Sequence, residues 1–212
     1  ARVGDATFVL DTGNNRILEL DDSGHVLGII GEVLDGNVHL QQPMAMATDG
    51  QHLFVANSQG GQVLVLSTSG AVERVIQLET APGELTPRPI GIAVASNSEI
   101  VVADANNHRV AFVDNQGHVV KSVGTGMRAA GTDGFNVPAG LTVDTIGNVY
   151  IVDTLNGRVV KLSPDGAYLR EFGRLADTAG SLARPKAVAV DAAGRVFVSD
   201  GLQAAVEVFG PD

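Results

Sequence analysis

The chain has 212 residues, 44% of them hydrophobic, with 26 glycines and no cysteine. That is ample apolar material for a core, and it excludes disulfides, thiolate nucleophiles and cysteine-based zinc sites. Fourteen Lys and Arg against 24 Asp and Glu give a net charge of −10, which disfavours nucleic acid and anionic membrane surfaces, since both are held by basic side chains. A charged partner is therefore expected to be cationic or neutral. No apolar run reaches the roughly 18 residues of a membrane span, so no membrane insertion is expected. The chain opens on Ala1 without a methionine or a signal-peptide pattern, as a processed or truncated product would. Absence of cysteine fits a periplasmic or secreted life.

In chain order, the first predicted strand lies in Gly4-Asp-Ala-Thr-Phe-Val-Leu-Asp11. A second starts at Arg16 and ends before a turn closed by Gly24, and a third covers Val26 to Ile30. Pro43 then opens a longer unit: a small-and-branched run, a turn at Asp49-Gly-Gln-His52, an apolar run ending at Asn57, a tight polar turn, and a run closed by Gly70. A fourth run follows at Val72 to Leu78. Pro89, Pro138 and Pro185 open the same unit again, with first turns at Ser96-Asn-Ser98, Asp144 to Asn148 and Asp191-Ala-Ala-Gly194. The fourth runs are Val119 to Val123 and Ala167 to Phe172. Strands of four to six residues bounded by Asn, Asp, Gly or Pro are the expected reading.

The register is regular. The residue ending the second strand recurs at Asp11, Asn57, Asp104, Asp153 and Asp200, in steps of 46, 47, 49 and 47. Gly24, Gly70, Gly117 and Gly166 each follow their partner by 13 residues, and the slack falls between that glycine and the next proline. A period of about 40 to 50 residues marks a propeller or an array. Runs apolar at nearly every position, such as Ile100-Val-Val-Ala103, suit sheets covered on both faces. A β-solenoid has a shorter period, and a sandwich has no reason to repeat its turn chemistry in register. The predicted fold is an all-β propeller forming one domain over 1–212, with repeats at roughly 1–36, 37–83, 84–132, 133–179 and 180–212.

The first repeat is expected to lack its innermost strand and the last its outermost, giving 18 strands. Neither five nor six four-stranded blades would then be whole. The expectation is a partial ring, possible as part of a six-bladed one, completed by another segment or chain or by edge pairing. Loops alternate between two faces. The turn face carries the first turn of each unit and the glycine turn. The loop face carries the Asp-to-Arg turn and the long variable connection, where binding usually lives.

Pro89-Ile-Gly-Ile-Ala-Val-Ala95 followed by Ile100-Val-Val-Ala-Asp-Ala-Asn-Asn-His-Arg-Val110 resembles the NHL-repeat β-propeller consensus. Asp11-Thr-Gly-Asn-Asn-Arg-Ile17 and Asp153-Thr-Leu-Asn-Gly-Arg-Val159 match its second half, while Gln62 and Ala205 replace the arginine in the other two repeats. The resemblance implies the fold and leaves function open. The amidating lyases that share this fold hold zinc with histidines after the blade-opening proline. Here those positions are Met44, Ile90, Ala139 and Lys186, none of which supplies an imidazole. No cofactor and no metal ligand is assigned, and no catalytic residue either. The five histidines fall in three repeats, His25, His52 and His118 towards the turn face and His39 and His108 towards the other.

The pairs Asp11/Arg16, Asp104/Arg109 and Asp153/Arg158 read in two ways: a ring of guanidinium groups for a partner, or a structural clasp of the turn. The glycine-rich stretch Gly124 to Gly134 lacks the strand-to-helix context of a phosphate cradle and is read as a variable loop. Met127, Arg128 and Phe135 in or beside it are residue types enriched at interfaces, Phe135 being as suited to the core. The expected partner-binding set is Arg16, Arg88, Arg109, Arg158, Met127, Arg128 and Phe135. The function expected is a non-enzymatic scaffold that offers one loop face to a protein partner. The alternative is a divalent-metal-dependent lyase or lactonase with its site in the central channel.

Overall fold

The computed structural model describes residues 1–31, 33–34, 38–95, 99–114, 116–176, 178 and 180–211. Among them are nineteen strands in five antiparallel sheets. Blade 1 holds β1 (Arg2–Val3), β2 (Ala6–Asp11), β3 (Arg16–Leu20) and β4 (Val26–Ile30). Blade 2 holds β5 (Pro43–Thr48), β6 (His52–Asn57), β7 (Gln62–Ser67) and β8 (Val72–Gln77). Blade 3 holds β9 (Pro89–Val94), β10 (Ile100–Asp104), β11 (Arg109–Val113) and β12 (Val119–Val123). Blade 4 holds β13 (Pro138–Val143), β14 (Val149–Asp153), β15 (Arg158–Leu162) and β16 (Tyr168–Phe172). Blade 5 holds β17 (Pro185–Val190), β18 (Val196–Asp200) and β19 (Ala205–Phe209). The expected turn at Ser96–Ser98 lies outside the described residues.

One expectation is corrected. Blade 1 has its innermost strand: Arg2 pairs with Thr7 and Val3 with Ala6 across a turn at Gly4 (φ +57°). Two residues are too few to show a hydrophobic period, so the strand is invisible in the sequence. The total is nineteen strands rather than 18, and only blade 5 has three.

The prolines explain how each blade begins. Proline cannot donate to a ladder and belongs at a strand's first residue or beside a bulge. Pro43, Pro138 and Pro185 each pair with the residue that ends the second strand, and the register then shifts within two or three residues. The first strands β5, β9, β13 and β17 pack side by side around the axis. A Cβ on Gly91 would lie 2.0 Å from the Ala139 carbonyl oxygen, and one on Gly140 2.6 Å from that of Lys186. Glycine is what lets these backbones approach so closely.

The core consists of four layers, each between two neighbouring blades. Phe8, Ile17, Leu53 and Leu64 fill the first and Phe54, Val63, Ile76 and Val102 the second. Phe112, Phe135, Leu141 and Ile151 fill the third and Tyr150, Val159, Phe172 and Val198 the fourth. Strands β10 and β14 are buried at every residue because successive side chains enter different layers. Blade 5 has a neighbour on one side only, so β18 alternates between buried and half-buried, and Val206 and Val208 of β19 are exposed. Val9 and Ile29 of blade 1 are exposed in the same way.

Candidate interaction surface

The loop face is built from one tight turn per blade. In blades 1, 3 and 4 the acid that ends the second strand is met by an asparagine three residues on and an arginine five residues on. Asn14, Asn107 and Asn156 donate to Asp11, Asp104 and Asp153 at 2.9, 2.8 and 2.7 Å. The Nε of Arg16, Arg109 and Arg158 donates to the same carboxylates at 2.8, 3.2 and 2.9 Å. The residue between them, Asn15, His108 or Gly157, is left-handed, and so are Gly61 and Ala204 in the other two blades. Gln62 and Ala205 thus alter the chemistry of the turn and leave its backbone path unchanged.

The clasp is buried in blades 3 and 4. Arg109 also meets Glu84 at 3.1 Å and the Glu79 carbonyl, and Arg158 donates to the carbonyls of Gly131 and Gly134 at 2.9 Å. Both arginines are 7% exposed. The glycine-rich loop therefore supplies acceptors to Arg158. Burial pushes the Asp153 carboxyl above its ordinary value, against the N–H groups of Asn136, Asn156 and Arg158 that hold it down. Burial also opposes the charge on Arg158, but its bonds to Asp153 and Glu171 prevail and raise its pKa. In blade 1 the clasp is partly exposed, and the bonds from Asn14 and Arg16 hold the Asp11 carboxyl below the usual range.

Of the residues expected to bind a partner, Phe135 is 1% exposed in the layer between blades 3 and 4. Arg16 is half-buried against Asp11. Arg88, Met127 and Arg128 are exposed. Met127 and Arg128 share a cleft of about 420 Å³ with Leu85, Asn106 and His108. A second cleft, of about 270 Å³, occupies the equivalent place one blade on, between Leu155, Asn156, Arg174 and Leu175. His108 accepts a hydrogen bond at Nδ1 from the Val137 amide at 3.0 Å. Burial first, then the neighbouring Arg128 charge, holds the imidazole below its ordinary pKa, with Asp153 and Asp104 pulling the other way.

Of the apolar members of this face, sequence reasoning finds Met127 and misses the four leucines. Leu85, Met127, Leu155, Leu175 and Leu202 are each between 49% and 71% exposed. Leu155 and Leu202 both stand two residues after the acid of their turn, a spacing that could have flagged them. On the turn face Ile146 is comparably exposed, and Val26 and Leu27 are so beside the Gly24 turn of blade 1. That face also carries acid-histidine pairs, Asp21 with His25, Asp49 with His52, and Asp114 with His118. Among the described residues no three His, Asp or Glu side chains converge as a metal-binding group.

The model of the NHL repeat matches residues 86–111, which run from the approach to Pro89 through the blade 3 clasp. The chain is a β-propeller that carries an NHL repeat. The chain is 37% identical over 111 residues to NHL repeat-containing protein 3 of Mus musculus. That match takes in 50% of this chain and 32% of the mouse protein, so the chain spans about a third of the curated relative. Among solved structures, its fold is similar to that of U3-55K (TM-score 0.73, 14% identity, 98% of this chain and 58% of that one). It is also similar to a catalytically inactive virginiamycin B lyase from Staphylococcus aureus with quinupristin (TM-score 0.70, 13% identity, 100% and 69%). At such identities the likeness is one of fold, which NHL-repeat propellers share with enzymes and with proteins of other kinds.

Proposed function

We propose that this NHL-repeat propeller is a protein-interaction scaffold whose loop face meets the partner. The observation that carries the reading is the concentration of exposed Leu and Met on that face, interleaved with arginines. Met and Arg are enriched at interface cores, whereas single scattered apolar residues would carry no such meaning. The blades behind the face bury their apolar side chains against one another and the Arg158 clasp ties loop to turn, so little ordering opposes association. Clefts between successive loops offer pockets for a partner's side chains, and pockets of that kind are where binding energy concentrates.

The test places a photo-crosslinking amino acid at Met127 on the loop face and, separately, at Ile146 on the turn face. Adducts with host proteins are expected from position 127, reduced when Leu175→Ala is added, and absent from position 146. Adducts from position 146 alone would overturn the reading. So would turnover of a small substrate by the purified chain that depends on an added divalent ion, which belongs to the enzyme alternative.

A further inference from the structure

The blade-opening prolines mark the end of the central axis that emerges on the loop face, and their flanking residues ring it. Before the prolines stand Gln42, Arg88, Val137 and Arg184; after them stand Met44, Ile90, Ala139 and Lys186. The chain has 24 acids against 14 bases, yet none of these eight positions is acidic and three are basic. Arg88, Arg184 and Lys186 are exposed, and none has an ion-pair partner among the described residues.

The nearest carboxylates face away. Asp104 and Asp200 are buried and accept the backbone N–H groups of Arg88 and Arg184 at 2.8 Å. Glu84 is taken up by Arg109. Lys186 runs along Gly201, where an added Cβ would sit 3.5 Å from its Cγ and 3.6 Å from its Cε, so its stem lies against the blade 5 turn on the loop face. The effect is a cationic collar around the axis, enclosed by the exposed leucines and Met127 of the outer loops.

We infer that this collar receives the carboxylates of an acidic, apolar peptide segment presented by a protein partner, an inference that rests on the loop face being the interaction surface. It reverses the expectation from net charge, because a total of −10 says nothing of where the charges sit. Guanidinium groups match carboxylates with two parallel hydrogen bonds, and Lys186 adds a point charge. Three cations with Leu and Met around them, and no large exposed aromatic side chain among the described residues of the face, suit a peptide. A nucleic acid strand calls for more phosphate contacts and for stacking platforms.

The test is selection of dodecapeptides from a random display library against the intact chain. Expected are sequences rich in Asp and Glu with Leu or Met between them. A selected peptide should bind the Arg88→Gln, Arg184→Gln, Lys186→Gln variant at least about tenfold more weakly, and lose affinity with rising salt. The variant should melt with the wild type, since the three side chains are exposed and form no ion pair among the described residues. Neutral or basic selected peptides, undiminished binding to the triple variant, or displacement by an equal concentration of oligo-dT would each overturn the inference. If peptides bind independently of the collar but lose affinity with Met127→Ala and Leu175→Ala, the inference fails and the interaction face stands. If binding ignores both sets, or no peptide is selected, both fail.

Discussion

Blades 1 and 4 carry the same clasp in different surroundings. Asp11, Asn14 and Arg16 repeat the arrangement of Asp153, Asn156 and Arg158, with donor distances within about 0.2 Å of each other. In blade 4 the connection from blade 3 folds over the guanidinium and offers it the carbonyls of Gly131 and Gly134, and Glu171 closes the far side. Arg16 has only Asp11 among the described residues. The two carboxylates consequently shift in opposite directions, Asp153 up through burial and Asp11 down through its hydrogen bonds from Asn14 and Arg16. The motif sets the geometry of the turn, and the neighbouring loop sets what the clasp is worth.

Removing the guanidinium separates the two cases most sharply. Arg158→Ala leaves a buried carboxylate without its cationic partner and two loop carbonyls without their donor. A loss of about 3–5 kcal/mol in urea unfolding is expected, the range for breaking a buried ion pair. Restoring the missing residue in blade 5 works in the opposite direction. Ala205 stands opposite Asp200 in the ladder, as Arg158 does opposite Asp153, so Ala205→Arg should raise stability by roughly 0.2–1 kcal/mol, the scale of a cross-strand charge pair. Arg16→Ala should leave the unfolding midpoint close to wild type, because exposed pairs contribute little. A midpoint lowered as far as by Arg158→Ala would show that burial does not govern the clasp.

His108 and Asn15 extend the comparison to pH. Both are left-handed, and each accepts the amide of a left-handed residue just before the next proline: Asn15 that of Gln42 at 2.8 Å, His108 that of Val137 at 3.0 Å. A positive φ is a genuine outlier for a β-branched residue such as Val137, so this bond holds a strained backbone. With the folded pKa of His108 below the ordinary 6.5, the unfolded chain takes up the proton first as pH falls. Stability therefore declines from about pH 6.5 down to the folded value, below which no more is lost. His108→Asn should keep the bond, match wild type near pH 8, and remove that decline in thermal melts. An unchanged slope would assign the proton uptake elsewhere.

Much of this architecture was legible in the residues. The spacing of Asp11, Asn57, Asp104, Asp153 and Asp200 fixed the repeat, and Pro89 through Val110 displayed the NHL pattern. Strand β1 was not legible, because two residues carry no period. Nor was the pairing of His108 with Val137, which joins residues 29 apart through a left-handed turn. Arg184 shares its offset from the proline with Arg88, so two of the collar's three cations could have been read from register. That its neighbouring carboxylates turn inward could not.

By itself the sequence determined the blade: where strands start and stop, which residues turn the chain, and which acid meets which arginine, because these depend on contacts within a few residues. The tertiary structure alone decided which copies of the motif are buried, which cations remain unpaired around the axis and which blade faces stay uncovered. Burial and charge pairing depend on what packs against a blade from elsewhere in the chain, and identical local sequences meet different neighbours.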